Sequence, residues 1–69
     1  MRNKDHATAG VLAIMMGAGT IVDFELYQLN GETFVRIWPS EDVDVLHLRK
    51  HVAALLPSYV EERHVMLVE

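Results

Sequence analysis

From Thr20 to Leu29 the chain alternates. Val22, Phe24 and Leu26 fall on one side; Asp23, Glu25 and Tyr27 fall on the other. Successive strand side chains point to opposite faces, so this alternation predicts a half-buried strand. A second β-rich run spans Thr33 to Trp38, with Asn30-Gly31 between the two. Asn and Gly tolerate the positive φ that a type I′ turn needs at both central positions, which predicts a hairpin. The second run carries Phe34, Val35, Ile37 and Trp38, apolar on both faces. Either a bulge shifts its phase or another segment covers its second face. The N-terminal apolar run is the obvious cover, and Trp38 is a candidate exposed contact.

Pro39-Ser40-Glu41-Asp42 stops this strand and opens a helix. Ser40, Asp42 and Asp44 are each candidate N-caps, and the acidic residues suit the positive end of a helix. Val45, Leu48, Val52, Leu55 and Leu56 then recur at spacings of 3, 4, 3 and 1, forming one apolar stripe. Pro57 ends the helix, because the residue before a proline is pushed out of the α region. Ser58–Glu62 reads as a connecting loop. Arg63–Val68 alternates again, with Val65 and Leu67 on one face and His64, Met66 and Val68 on the other, and predicts a third strand.

The N-terminal stretch has three readings. Met1–His6 is polar and reads as a frayed tail. Ala9–Val22 holds the run Val11-Leu12-Ala13-Ile14-Met15-Met16 followed by Gly17-Ala18-Gly19. Arg2 and Lys4 before an apolar run resemble a signal peptide, but Asp5 and His6 interrupt the charged region. A helix lying on the domain suits Ala, Leu, Ile and Met, with Gly17 and Gly19 ending it. A buried strand fits equally by periodicity, and the balance falls on the strand or extended form. The run is too short for a membrane span, which needs about 20 apolar residues.

Residues 21 to 68 resemble the first half of the ubiquitin-like β-grasp family. Val22, Phe24 and Leu26 match the inward residues of that family's first strand, and Leu29-Asn30-Gly31 matches its turn. Pro39-Ser40-Glu41 matches the Pro-Ser-Asp before its helix. Glu61-Glu62-Arg63-His64-Val65-Met66-Leu67 falls on its Asp-Gln-Gln-Arg-Leu-Ile-Phe. The departures are one residue missing in the second strand, two inserted before the helix, and no last two strands. The terminal Gly-Gly is also absent, since the sequence ends Leu67-Val68-Glu69; that implies neither conjugation nor sulfur carriage. The family's last strand lies between the first and third, so its loss implies an unpaired edge, met by the N-terminal run or by homo-oligomerisation.

The expected fold class is therefore α+β: a truncated β-grasp-like ββαβ unit with an additional N-terminal apolar strand or helix. Residues 1–19 are expected as a tail and apolar segment, and the resemblance implies that 20–69 form a partial ubiquitin-like domain. In the family an exposed apolar patch on the outer sheet face recruits partners. The resemblance places Leu29 and Met66 in that patch, with His64 beside them in place of a basic neighbour.

Composition narrows the alternatives. The chain has 69 residues, enough for one small domain, and its 51% apolar content supplies a core. Six Lys and Arg against ten Asp and Glu give a net charge of −4, with pI about 5.4. Nucleic acid and anionic membrane are thus not expected partners. Without cysteine there is neither a disulfide framework nor thiol chemistry. His47 and His51 lie four apart on the expected helix, a zinc-chelating spacing, with His64 or Glu62 as further ligands. Histidines on a helix shoulder explain them more simply, so no metal or other cofactor is expected. Glu41, Asp42, Asp44, Glu61 and Glu62 sit where capping and solubility account for them, and Gly17-Ala18-Gly19 lacks the downstream Gly and Lys of a phosphate loop. The expectation is a cytoplasmic, non-enzymatic module that binds a partner protein. A fragment of a longer ubiquitin-like protein is the alternative, and a His-dependent metal protein a more distant one.

Overall fold

A computed structural model describes residues 5–68. The order is α1 (His6–Gly17), β1 (Ile21–Leu29), β2 (Glu32–Pro39), α2 (Val45–Leu55), a 3-10 turn (Glu62–His64) and β3 (Val65–Leu67). The fold is mixed α+β.

The N-terminal run is a helix, which corrects the preference for a strand. Asp5 caps it: its carboxylate accepts from the Thr8 N–H at 3.0 Å and from the Tyr59 hydroxyl at 2.7 Å. A capped start and a run of Ala, Leu and Met without proline favour the helix, and a tertiary partner fixes its first turn. The tail expected over Met1–His6 is corrected at Asp5 and His6; its first four residues lie outside the described ones. Gly19, at φ +85°, turns the chain at the other end. Thr8, Leu12 and Met15, at helical spacing, are the buried residues of α1.

The hairpin forms as its turn dictates, with Asn30 at φ 53° and Gly31 at φ 80°. Its register runs from Leu29 opposite Glu32 to Asp23 opposite Trp38, then slips, so that Ile21 meets Pro39. The slip is a bulge in β1, at Val22. An extra residue reverses the inward–outward phase, so Ile21 is buried and Val22 is 63% exposed. This overturns the inward placement of Val22, while Phe24 and Leu26 keep theirs against the core. β2 itself alternates cleanly. Thr33, Val35 and Ile37 are buried, and Phe34, Arg36 and Trp38 are half-buried on the opposite face. The N-terminal run does not cover that face, because Leu12 and Met15 join the same core as Val35 and Ile37.

Asp44 is the N-cap of α2, accepting from the Leu46 N–H at 3.0 Å. Leu48, Val52 and Leu56 carry its buried stripe, whereas Val45 and Leu55 are exposed, so the stripe is narrower than expected. Leu56 is extended, at ψ 163°, ahead of Pro57. The following loop is anchored by the buried Val60. β3 runs parallel to β2, with Val35 opposite Val65, Arg36 opposite Met66 and Ile37 opposite Leu67. The sheet order is β1-β2-β3. The gap expected between the first and third strands therefore does not arise. The third strand docks on the second, through a β2-α2-β3 crossover of the kind parallel pairing requires. Leu12, Met15, Ile21, Val35, Ile37, Leu48, Val52, Leu56, Val60 and Val65 form one core drawn from every regular element.

Candidate partner-binding face

Because both helices pack on one face of the sheet, the side chains of the other face meet solvent or each other. Alternation assigns to this outer face Glu25, Tyr27 and Leu29 from β1, Glu32, Phe34, Arg36 and Trp38 from β2, and Met66 from β3. Leu29 is 54% and Met66 51% exposed. Between them the rings of Tyr27 and Phe34 stack at 5.5 Å, and the Arg36 guanidinium lies 5.2 Å over Tyr27. Arg36 is also held by Glu25 at 2.9 Å. The result is an apolar and aromatic strip whose cation is already positioned.

His64 lies beneath this surface rather than on it. It is buried, and its ring meets the Phe34 ring edge-on at 4.8 Å. Its Nδ1 accepts from the Glu61 N–H at 2.9 Å, so the ring proton is on Nε2, which donates to Glu32. The His64 N–H in turn donates to the Glu61 carbonyl at 2.9 Å, closing the 3-10 turn. The His64 hydrogen bond and the nearby Arg63 charge, 3.2 Å away, hold the Glu32 carboxyl below its ordinary range. Both ring nitrogens are committed, so the imidazole has none free for acid–base work on a substrate. Sequence placement on an outward position of the third strand hid this, because His64 belongs to the turn before β3.

The other candidates separate in space. His47 Nδ1 pairs with its own helix cap, Asp44, at 2.7 Å, and both are exposed. Among the described residues no group of three or more His, Cys, Asp or Glu is placed to hold a metal ion. Trp38 is half-buried on the outer face. A depression of about 360 Å³ lies at the hairpin tip, lined by Asp5, Gln28, Gly31, Glu32, Thr33 and Tyr59. Burial opposes ionisation of Asp5 there, but hydrogen bonds from Thr8 and Tyr59 outweigh it and hold its carboxyl below the usual value. Reading the sequence missed the Tyr27–Phe34–Arg36 strip. The alternation of β2 was the available signal, since it places Phe34 and Arg36 together opposite Val35 and Ile37.

The site and its frame thus define a small α+β protein with one open sheet face. No family model matches the chain, and no curated protein or solved structure is recognisably similar to it. No helix among the described residues is long and apolar enough to cross a membrane.

Proposed function

We propose that this chain is a non-enzymatic protein-interaction module that docks a partner protein on the outer sheet face, with Leu29 and Met66 as apolar contacts. One observation carries the reading: two large apolar side chains, each about half exposed, flank a pre-stacked aromatic pair on a face without helices. Such a surface suits an apolar helix or loop, since Met adapts its shape and stacked rings lose little entropy on binding. His64 supports the face from below through Phe34. The resemblance to ubiquitin-like domains is one of spacing between turn, helix and strand; the pairing of β3 with β2 departs from that family, and the face itself supports the reading.

The test uses Leu29→Asp and Met66→Asp in the full chain. Partners retained by the immobilised wild type are expected to be lost by both variants, each shown by circular dichroism to be folded at the assay temperature. A purified partner should shift the methyl resonances of Leu29 and Met66. Undiminished retention by the double variant overturns the reading.

A further inference from the structure

His64 joins both ends of the candidate face. Its Nε2–H donates to Glu32, the cross-strand neighbour of Leu29. Two residues further along its own chain stands Met66, in register with Arg36. Its ring edge supports Phe34, on which Tyr27 stacks. The imidazole is thus a buried titratable side chain that touches β2 and leads directly into β3.

Its two nitrogens are not equivalent. Nε2 carries the proton and faces a carboxylate, so a positive ring keeps that contact as a charge-assisted bond. Nδ1 accepts from the Glu61 N–H at 2.9 Å. A second proton has only Nδ1 to occupy, and an N–H there would face another N–H. The groups around the ring do not relieve this conflict. Glu32, from β2, lies at Nε2. Arg63, from the turn, is bound to Glu32 and Glu61, each at 3.2 Å. Glu62 faces Arg49 of α2 at 3.8 Å, and Arg36 is held by Glu25. The Glu61 carboxylate accepts from the His64 backbone N–H, and among the described residues no carboxylate pairs with Nδ1.

We infer that His64 is a proton-operated latch on the Leu29–Met66 face: its neutral form closes the turn into β3, and a proton at Nδ1 opens that turn while the ring stays on Glu32. Opening moves Met66 relative to Leu29, and so regulates the docking surface proposed above, on which this inference rests. The moving part is the Glu61–His64 turn, since the hairpin half of the face keeps its own ladder.

The experiment uses the full chain without a partner. Long-range proton–nitrogen NMR of the histidine rings, recorded across a pH series, reads the tautomer and the titration of His64 directly. The expected result is an Nε2–H tautomer at neutral pH. The Met66 methyl and Glu61 amide signals should then move with the His64 midpoint as pH falls. The protection factor of the Glu61 amide, its exchange taken relative to the unprotected rate at each pH, should fall by about tenfold, the equivalent of one unmade buried hydrogen bond. In His64→Asn the side-chain oxygen can stand where Nδ1 stood but takes no proton, so both signals should lose that transition. An Nδ1–H tautomer, a Met66 signal that does not follow His64, or an unchanged transition in His64→Asn each overturns the latch. If His64→Asn does not fold, the wild-type tautomer and co-titration decide alone. The partner-binding reading stands or falls separately, on the Leu29 and Met66 variants at fixed neutral pH.

Discussion

Asp5→Ala tests whether α1 is an integral part of the domain. The carboxylate is 4% exposed and has two jobs. It accepts from the Thr8 N–H as the helix N-cap, and from the Tyr59 hydroxyl across a separation of 54 residues. Losing an N-cap costs about 1 kcal/mol. Losing a hydrogen bond to a charged acceptor costs about 1.5–3 kcal/mol, and the Tyr59 hydroxyl is left without its acceptor. Removing a buried charge recovers part of this as desolvation, so a net loss of about 2–3 kcal/mol is expected. For a domain of this size each kcal/mol is worth about 4–8 °C, which places the melting temperature about 10–20 °C lower. Thermal denaturation followed by circular dichroism at pH 7 measures it. Asp5→Asn retains a capping oxygen without the charge and should lose less. Its pH profile adds a sign. The native Asp5 carboxyl titrates below its ordinary value of 3.8, so its contribution is complete above that value and fades as pH falls through the lower native one. The wild type should therefore lose stability below about pH 4 more steeply than Asp5→Asn. An Asp5→Ala melt within a degree or two of wild type would refute the argument, because α1 would then begin without this tether.

Three further outcomes follow from the same frame. Leu12→Ala, at a fully buried α1 position, should cost about 2–5 kcal/mol and lower one cooperative transition for the whole chain; a separate early transition would mean that α1 unfolds alone. Gly31→Ala places a side chain at φ +80° with open space around it, so backbone strain of about 1–2 kcal/mol is the whole expected effect, read from denaturant midpoints. Zinc should leave the melting temperature of the full chain unchanged, since His47 is engaged with Asp44 and His64 is buried beside Phe34; a rise abolished by His47→Ala would show a site.

Local chemistry decided what was legible in the sequence. Asn30-Gly31 can hardly do anything but turn, and Pro57 must stop α2, so the hairpin and the second helix are readable from their own residues. The α+β class follows from those two. The character of α1 was not readable, because its apolar run suits either structure and the deciding contact comes from Tyr59, far along the chain. The bulge at Val22 depends on how β1 meets β2 rather than on Val22 itself. The partner of β3 is likewise a long-range choice: alternation over Val65–Leu67 says that a strand forms, not which neighbour accepts it. Within the candidate face, Leu29 and Met66 stand on outward strand positions, each about half exposed. His64 shares its apparent phase with Met66 but is drawn inward, because Glu32 and the Glu61 N–H offer both its nitrogens a partner. Only the folded hairpin and turn bring those groups together.

The outer edge of β1 bears on self-association. Counting back from the Leu29–Glu32 pair that brackets the turn, the backbone groups of Gln28, Leu26 and Phe24 point away from β2. They are the ones a second copy would pair with. The Phe24 N–H is already occupied, donating to the Asp23 carboxylate at 2.8 Å. An antiparallel pair centred on Glu25 sets two carboxylates directly opposite, which is destabilising. A pair centred on Leu26 needs the Phe24 N–H. The bulge at Val22 twists the remaining end away. The chain should therefore sediment as a monomer at concentrations used for NMR, and Asp23→Ala with Glu25→Thr should shift it toward dimer by freeing the donor and removing the repulsion. Dimerisation of the wild type that the double variant leaves unchanged would place the contact elsewhere. The uncharged outward side of α1, where Ile14 is 74% exposed, is then the surface to mutate next.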